Sequence, residues 1–354
     1  MDAAAAPAES RFRIWTTECA DRVQAGYHHP MHFFDASATC AALPFDRLVP
    51  ALRERFAAGC ETPLRHVHEI TNPADDITPD LVGRRITSLI MPAWIPGKTY
   101  GVKIVNIAPG NAKRGLTGLH GSYLLFDART GVPLAHMDGD QITARRTAAA
   151  SALAGSYLAR SDAKHLLLVG AGQVARLLPE AYRTVRSIER VSVWARRPEQ
   201  AEELAQTLRQ QGFDAQATTH LETACGEADI VSCATLSMEA IVRGAWLTPG
   251  SHLDLIGSFT PAMREADDAC FENARVFVDT DEALKKSGDL LIPIAHGVLH
   301  ADDIRGTLTT LSKGVATGRK TETERTVFKS VGTALEDLAA ANLIYDTLSP
   351  AAQR

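Results

Sequence analysis

The feature that most constrains the fold is a regular alternation of strand-like and helix-like segments in the second half of the chain. Short apolar runs typical of buried strands occupy residues 165–169, 190–194, 229–233, 252–256 and 275–278. Helical patterns fill the intervals at 173–186, 198–211 and 220–226. Strands that alternate with helices form a parallel sheet covered on both faces. The sequence therefore predicts an α/β fold with a Rossmann-type, doubly wound parallel sheet.

A glycine fingerprint joins the first of these strands to the first helix. The segment His165-Leu-Leu-Leu-Val-Gly-Ala-Gly-Gln-Val-Ala contains the pattern GxGxxA. Gly170 permits the tight turn, Gly172 lets the backbone approach a pyrophosphate, and Ala175 lets the helix pack close to the strand. The phosphates would lie at the helix N-terminus, where unpaired amides and the helix dipole favour an anion. We predict a dinucleotide site, and its first binding residues are Gly170, Gly172, Gln173, Val174 and Ala175.

Two arginines, Arg196 and Arg197, follow the second strand of the alternating region. They lie about 20 residues beyond the fingerprint, where an acidic residue often binds the 2′-hydroxyl of the ribose. A guanidinium instead attracts a 2′-phosphate and can bind it with two parallel hydrogen bonds. The alternative is a pair of solvated arginines without a ligand. We favour phosphate binding and predict NADPH as the cofactor, with NADH as the alternative.

The first third of the chain has a different pattern. A helix is predicted from Leu43 to Phe56, and short strands are predicted near residues 86–94, 100–107 and 121–127. An alanine-rich helix starts near Ile142, and the segment from Val327 to Tyr345 has the pattern of one long amphipathic helix that packs back on the first region. We therefore predict three parts, namely a poorly ordered N-terminal extension at 1–30, a mixed α+β substrate-binding and dimerisation domain at 31–142 and 319–354, and the dinucleotide domain at 143–318.

Composition excludes several classes of function. Hydrophobic residues make up 45% of the chain and charged residues 22%, as in soluble globular proteins, and the net charge of -5 argues against a nucleic-acid binder. The six cysteines form no CxxC pair, which fits a reducing, cytoplasmic location without disulfides. No apolar run reaches the ~20 residues of a membrane span. The motif Tyr27-His-His-Pro-Met-His32 lacks supporting cysteines or carboxylates, so we predict no metal site.

Three basic residues stand out in the first half of the chain. Lys103 interrupts the apolar strand Gly101-Val-Lys-Ile-Val, Arg146 lies on the alanine-rich helix, and Arg65 follows Thr62-Pro-Leu. A lysine within a strand either extends its amine to solvent or is held inward for a purpose. The pattern alone favours solvent exposure for both Lys103 and Arg146.

A resemblance to a known family changes this interpretation. The chain resembles the ornithine cyclodeaminase/mu-crystallin family from about Met31 to Leu348. The shared motifs, in order, are Pro63-Leu-Arg, Val102-Lys-Ile-Val, Leu119-His-Gly, Met137-Asp-Gly-Asp-Gln-Ile-Thr-Ala-Arg-Arg-Thr-Ala-Ala, the Gly170 fingerprint, Cys233-Ala-Thr-Leu-Ser, Pro249-Gly-Ser-His-Leu, Ser287-Gly-Asp and Thr326-Val-Phe-Lys-Ser-Val-Gly.

The resemblance implies a role for each matching residue. Arg65 and Arg146 resemble the arginines that bind the substrate carboxylate, and Lys103 resembles the catalytic lysine that contacts the reacting substrate. The remaining matches are the turn beside the nicotinamide and a pocket histidine, that is, Ala234, Thr235, Leu236 and His120. Two arginines on one carboxylate would present the α-carbon to the nicotinamide. The resemblance also implies a homodimer formed through the β-rich region.

Two departures from the lyase members of the family favour a reductase. Ornithine cyclodeaminases have an aspartate where this chain has Phe259, and a phenyl ring can neither accept a proton nor pair with an ammonium group. They also have an acid at the position of Arg196. The segment Gly257-Ser-Phe-Thr-Pro-Ala-Met-Arg-Glu resembles the reductase branch instead, and an apolar Phe259 suits a flat, neutral ring in the substrate site.

We therefore predict an oxidoreductase that reduces Δ1-pyrroline-2-carboxylate to L-proline, and Δ1-piperideine-2-carboxylate to L-pipecolate as a second substrate. Three alternatives stay open at this point. They are an ornithine cyclodeaminase that releases ammonia, another amino-acid dehydrogenase such as one for alanine, and a non-enzymatic binding protein like mu-crystallin.

Overall fold

A computed structural model describes residues 31–72 and 85–349 of the chain. The predicted extension at 1–30 lies outside these ranges, as does all of the Tyr27-to-His32 motif except its last two residues. Among the described residues, no group of histidine, cysteine, aspartate and glutamate side chains could hold a metal ion. No helix in the described ranges is long and apolar enough to cross a membrane.

A six-stranded sheet is built from the first part of the chain. Its strands are β1 (His32–Phe34), β2 (His66–Thr71), β3 (Arg85–Trp94), β4 (Thr99–Ile107), β5 (Leu119–Asp127) and β6 (Pro133–Asp138). Their order in the sheet is β1-β6-β5-β4-β3-β2, and all neighbours are antiparallel except β1 and β6. The predicted strands here are confirmed, and β2 is a further strand that the sequence pattern did not indicate.

A second sheet, of eight parallel strands, is built from the later part of the chain. Its strands are β7 (His165–Val169), β8 (Arg190–Trp194), β9 (Asp214–Ala217), β10 (Ile230–Cys233), β11 (His252–Leu255), β12 (Ala274–Val278), β13 (Ile304–Thr307) and β14 (Arg325–Lys329). The order is β13-β12-β14-β11-β10-β7-β8-β9, with every described pair parallel. The predicted Rossmann-type α/β fold is confirmed. The direction of strand order reverses between β10 and β7, which is where such sheets bind ligands.

Ten α-helices within the described ranges cover these sheets. They are α1 (Ala36–Ala41), α2 (Phe45–Ala58), α3 (Gly139–Leu158), α4 (Gln173–Arg183), α5 (Pro198–Gln210), α6 (Leu221–Glu227), α7 (Ala283–Lys286), α8 (Gly288–Ala295), α9 (Leu308–Ser312) and α10 (Ala334–Leu348).

The alanine-rich helix α3 joins the two sheets. Asp138 caps its N-terminus by accepting a hydrogen bond from the Gln141 amide at 2.8 Å. Most of its residues are buried, because it packs against α2, α4 and α10 and also contacts strands of both sheets. Small alanine side chains allow these close approaches on all sides.

The tail of the chain differs from its prediction. Residues 325–329 form β14 in the middle of the parallel sheet, between β11 and β12, and the helix begins only at Ala334. The run Thr326-Val-Phe has strand-forming side chains, and Gly332, with φ of 74°, interrupts the backbone before the helix. The assignment of residues 319–354 to the first domain is therefore wrong for β14. The other domain boundaries stay predictions.

Candidate active site

The glycine loop lies at the carboxyl end of β7, where the strand order reverses. Gly170 has φ of 117°, and a Cβ there would lie 2.7 Å from the carbonyl oxygen of Ala234. Only glycine fits this turn. Gly172 is the N-cap of α4 and provides no side-chain cap, so the first amides of the helix stay open toward the cleft. No atom of the described residues lies within 4 Å of a Cβ placed on Gly172.

A cleft of about 530 Å³ opens beside this loop. It is lined by the ends of three strands and by the loop that follows β10, namely Gly170, Ala171, Trp194, Ala195, Arg196, Arg197, Gln200 and residues 234–241. Gln173 is exposed and Ala175 is buried on the sheet side of α4, while Val174 is partly buried. The fingerprint residues are therefore placed as the sequence predicts, and their binding roles stay a prediction.

The two arginines after β8 differ in their surroundings. Arg197 donates a hydrogen bond from Nε to Oε1 of Gln200 at 3.0 Å. Arg196 is exposed, and in the described part of the chain it has no hydrogen-bond or ion-pair partner. An unpaired guanidinium at the edge of the cleft is available to bind an anion.

The turn after β10 meets the end of β11 directly. A Cβ on Gly257 would lie 1.9 Å from the carbonyl oxygen of Thr235, so the two backbones are in contact. Phe259 is partly buried two residues farther along this loop. Leu236 is 76% exposed at the mouth of the cleft. The residues that the resemblance assigned to the nicotinamide side thus lie at one edge of the sheet.

Lys103 lies on the buried face of the six-stranded sheet. Its side chain is 1% exposed, and Nζ donates to Oδ1 of Asp337 in α10 at 2.8 Å. The expectation of solvent exposure from the strand pattern is wrong, because an acid from the distant tail helix meets the amine. Burial lowers the pKa of Lys103 to about 8 against the opposing effect of Asp337, and Arg146 and Arg65 add to the decrease.

Arg146 is also buried rather than solvated. Its Nε donates to the same Asp337 Oδ1 at 2.9 Å, and Nη1 donates to Oε2 of Glu336 at 2.7 Å. The guanidinium lies over Gly332, where a Cβ would come within 2.5 Å of Nη1. Nη2 makes no hydrogen bond to a described residue, so one side of the fork is available to a ligand.

Arg65 reaches the same place from the loop before β2. Its Nη2 donates to the carbonyl oxygen of Gly332 at 2.5 Å and lies 3.4 Å from Oε2 of Glu282. The guanidinium groups of Arg65 and Arg146 therefore both lie against Gly332. The three basic residues predicted from the sequence thus converge on one cluster. Asp279 supports this backbone, since its Oδ2 accepts from the amides of Val331 and Gly332 at 2.7 and 2.6 Å.

The two acids of α10 have opposite pKa shifts. Burial alone would raise the pKa of Asp337, but Lys103 and Arg146 outweigh it and hold the pKa below its usual value. Burial raises the pKa of Glu336 to about 7, although Arg146 opposes the shift. Asp337 Oδ2 and Glu336 Oε1 are buried without a hydrogen-bond partner among the described residues. The cluster is thus a set of buried charges in which two carboxylate oxygens have no hydrogen-bond partner among the described residues.

His120 is not brought to this cluster. The register of β4 and β5 pairs Lys103 with Tyr123 and Asn106 with His120, so His120 lies on the opposite face of the sheet from Lys103. It is exposed, with Nε2 at 3.2 Å from Thr117 Oγ1. Its assignment as a pocket residue stays a prediction. Within one chain, the strand register places His120 away from the cluster around Lys103.

The sequence interpretation missed the acids that complete the site. Asp337 and Glu336 lie within the predicted amphipathic helix, and neither they nor Glu282 are among the predicted site residues. A signal was present, because Glu336-Asp337 is an isolated acidic pair within an otherwise apolar segment, Thr333-Ala-Leu-Glu-Asp-Leu-Ala-Ala-Ala. An acidic pair with that setting is a candidate partner for unexplained basic residues elsewhere.

The residues present fit a dinucleotide. The turn at Gly170 has no room for a Cβ, the N-terminus of α4 is uncapped and open, and Arg196 faces the cleft without a partner in the described ranges. A family profile for the ornithine cyclodeaminase/mu-crystallin family matches residues 80–351. The chain belongs to this family.

Several proteins similar to this chain have a named activity. The chain is 46% identical over 260 residues to the Δ1-pyrroline-2-carboxylate reductase of Paracoccus denitrificans. The aligned region covers 73% of this chain and 82% of the relative. A solved Δ1-pyrroline-2-carboxylate reductase of Thermococcus litoralis, in complex with NADH and L-proline, is 32% identical. It superposes with a TM-score of 0.83 over 89% of this chain and 97% of its own.

A second solved relative has a different activity. An archaeal alanine dehydrogenase dimer with bound NAD is 27% identical and superposes with a TM-score of 0.81, over 89% of this chain and 95% of its own. The fold is therefore shared by enzymes that bind nicotinamide dinucleotides and act on different small substrates.

Proposed function

We propose that this protein reduces Δ1-pyrroline-2-carboxylate to L-proline, and Δ1-piperideine-2-carboxylate to L-pipecolate, with NADPH as the preferred cofactor and NADH as the alternative. The observation that carries the proposal is the buried cluster of Arg65, Lys103 and Arg146, and Phe259 on the loop after β11 supports it. The cluster combines carboxylate-binding groups with a lysine whose pKa is lowered to about 8, and Phe259 stands where ornithine cyclodeaminases have an aspartate.

The arginines have the donors that a substrate carboxylate needs. Arg146 keeps Nη2 unbonded to described residues, and Arg65 uses one nitrogen for Gly332 and Glu282. A carboxylate held between two guanidinium groups is fixed in both position and orientation. The ring attached to that carboxylate would then face Phe259 and the turn at Thr235.

Lys103 is suited to supply the proton that the reduction requires. Reduction of the C=N bond places a hydride from the nicotinamide on C2, and the ring nitrogen takes up one proton. A pKa of about 8 leaves Lys103 largely protonated at neutral pH yet able to release its proton. Asp337 orients Nζ through the 2.8 Å hydrogen bond, so the remaining N–H bonds have a defined direction.

The NADPH preference rests on Arg196. Its guanidinium is exposed at the cleft edge and unpaired within the described ranges, whereas an acid there would repel a 2′-phosphate. A homodimer formed through the six-stranded sheet and a cytoplasmic location belong to the same proposal. The dimer is supported by the dimeric alanine dehydrogenase relative and is tested by light scattering of the purified protein.

The test of the reaction uses the purified full chain. Loss of NADPH absorbance is followed with Δ1-pyrroline-2-carboxylate and, separately, with pyruvate plus ammonia, while ammonia release is measured with ornithine. NADPH oxidation with the cyclic imine and no ammonia from ornithine is expected. Turnover of pyruvate alone would favour the dehydrogenase, and ammonia without net nicotinamide turnover would favour the lyase.

A pair of lysine variants connects the reaction to the cluster. Lys103→Met keeps most of the side-chain volume but removes the amine, and we expect at least a ~100-fold loss of kcat, the lower range for a general acid. Lys98→Met is the matched control, because Lys98 is exposed in the turn between β3 and β4. Equal activity of the two variants would remove Lys103 from the mechanism.

A further inference from the structure

Three buried charged side chains have no part in the mechanism above. Glu265, Asp289 and Lys329 are each 0% exposed. Each is the last residue of a segment in which this chain resembles the family. These segments are Gly257-to-Glu265, Ser287-Gly-Asp and Thr326-Val-Phe-Lys. Burial of a charge is costly unless polar partners compensate it, so their contacts indicate what they hold.

Glu265 ties together the ends of two neighbouring strands. Its Oε1 accepts hydrogen bonds from the amide and the hydroxyl of Thr235 at 2.7 and 2.8 Å. Its Oε2 accepts from the amide of Gly257 at 2.6 Å. Thr235 follows β10 and Gly257 follows β11, so one carboxylate fixes the spacing of both turns at the cleft.

The contact between the Thr235 turn and the Gly257 loop leaves no room for a side chain on Gly257. A Cβ on Gly257 would lie 1.9 Å from Thr235 O and 2.4 Å from Glu265 Oε1. The same loop is held farther along by Ser258, whose Oγ donates to Met263 O at 2.6 Å and lies 3.0 Å from Ser287 Oγ. The position of Phe259 is therefore set by the same group of contacts.

Asp289 and Lys329 hold Glu265 from behind. Asp289 Oδ1 accepts from the amides of Glu265 and Ala266 at 2.8 and 3.1 Å. Its Oδ2 faces Lys329 Nζ at 3.4 Å, and neither of these two atoms has a hydrogen-bond partner in the described part of the chain. The lysine thus stabilises the acidic pair mainly through charge, at the end of β14, which lies next to β11.

We propose that Glu265 is a positioning residue for the dinucleotide, supported by Asp289 and Lys329. It holds the Thr235 turn and the Gly257-to-Phe259 loop at the separation that the nicotinamide end requires. The inference rests on the proposed function, because it assumes that the cleft binds this cofactor.

The test substitutes Glu265→Gln in the full chain. Glutamine keeps one acceptor oxygen but presents an amide N–H₂ to one of the two turns, where a donor would meet a donor. We expect the Kd for NADPH, measured by quenching of tryptophan fluorescence, to rise about 10-fold, which is about 1.4 kcal/mol. The KM for the imine at saturating NADPH should rise less than the Kd for NADPH, since Phe259 shifts with its loop but the carboxylate-binding arginines are untouched.

Asp254→Asn is the matched control. Asp254 is another fully buried carboxylate on β11, and it accepts hydrogen bonds from the hydroxyls of Ser151, Tyr182 and Ser232, but it does not line the cleft. It should lower the melting temperature without changing the Kd for NADPH. An unchanged Kd in Glu265→Gln, or an equal rise in Asp254→Asn, would overturn the proposal.

A second variant covers the case in which Glu265→Gln does not fold. Thr235→Val keeps the side-chain shape but removes the hydroxyl, which donates to Glu265 at 2.8 Å and accepts from the Ser237 amide at 3.2 Å. We expect a roughly 2- to 5-fold rise in the Kd for NADPH, on the scale of a lost hydrogen bond. An unchanged Kd in this variant would also overturn the inference. Absence of NADPH and NADH binding in the unmodified protein would instead refute the proposed function.

Discussion

Replacement of Asp337 by asparagine is the sharpest test of how the site controls its lysine. Asp337 Oδ1 lies 2.8 Å from Lys103 Nζ and 2.9 Å from Arg146 Nε, and all three side chains are buried. The variant keeps the shape of the side chain but removes the negative charge. The positive charges of Arg146 and Arg65 then act on Lys103 without opposition from Asp337, so the pKa of Lys103 must fall.

The size of the fall follows from the burial of the pair. Loss of one partner of a buried ion pair costs about 3–5 kcal/mol, and one pKa unit corresponds to about 1.4 kcal/mol. The lower end of this range corresponds to a decrease of roughly 2 units, so Lys103, which starts from a pKa of about 8, is expected near about 6 in the variant. At pH 7 its protonated fraction would fall from about nine-tenths to about one-tenth.

The assay is the pH dependence of kcat/KM for the cyclic imine. A protonated Lys103 is needed as the acid, so activity is present below its pKa and lost as pH rises through it. The unmodified enzyme should lose activity above about pH 8. Asp337→Asn should lose it above about pH 6, which is a ~10-fold decrease at pH 7.

The control and the refuting result use the same helix. Asp346→Asn makes the identical chemical change in α10 at an exposed position, and its profile should match the unmodified enzyme. The proton of the substrate contributes equally to all three profiles, so a difference between them reports the protein. An unshifted profile in Asp337→Asn, together with an intact fold by circular dichroism, would refute the role of Lys103 as the acid.

Three further predictions concern the cofactor and carboxylate sites. Arg196→Asp should lower the ratio of kcat/KM for NADPH over NADH by about 100-fold, because it replaces a hydrogen-bond donor to the 2′-phosphate with an acid that repels it. An unchanged ratio would exclude Arg196 as the residue that binds this phosphate. Gly332→Ala, with φ of 74° and a Cβ 2.5 Å from Arg146 Nη1, should raise the KM for the imine about 10-fold without changing the Kd for NADPH, and equal changes in both constants would contradict this. Gly170→Ala, with its Cβ 2.7 Å from Ala234 O, should abolish NADPH binding in a fluorescence titration, and retained binding would refute the assigned turn.

The dinucleotide half of the molecule was predictable because its signals are local. The fingerprint at Gly170 lies within one strand, one turn and one helix, so the spacing along the chain already describes the geometry. Arg196 follows from the same argument, since it comes two residues after the next strand, β8. Strand β14 was missed because residues 325–329 pair with β11 and β12, which come more than 40 residues earlier in the chain. The local signals, namely the run Thr326-Val-Phe and Gly332, are short beside the helical pattern that follows.

The substrate half depends on contacts between distant segments. Lys103 and Asp337 are separated by 234 positions along the chain, so neither strand pattern nor helix pattern could show that the amine points inward. The resemblance to a family supplied Arg65, Lys103 and Arg146, but it did not supply the acids that hold them. His120 shows the opposite case, because a matching residue lies on the other face of the sheet once the register is known.

The acids of α10 explain how a site for an anion can stay folded without one. Lys103 and Arg146 are buried, and each would be strongly destabilising if it were left unpaired. Asp337 serves both cations with a single oxygen, and Glu336, with a pKa raised by burial to about 7, supplies a second charge that is easily neutralised. A substrate carboxylate brings a further negative charge, which raises the pKa of Glu336 again and favours uptake of a proton there. If the substrate carboxylate binds at Arg65 and Arg146, we expect Glu336 to keep the total charge of the cluster nearly constant, so that Asp337 stays paired with Lys103.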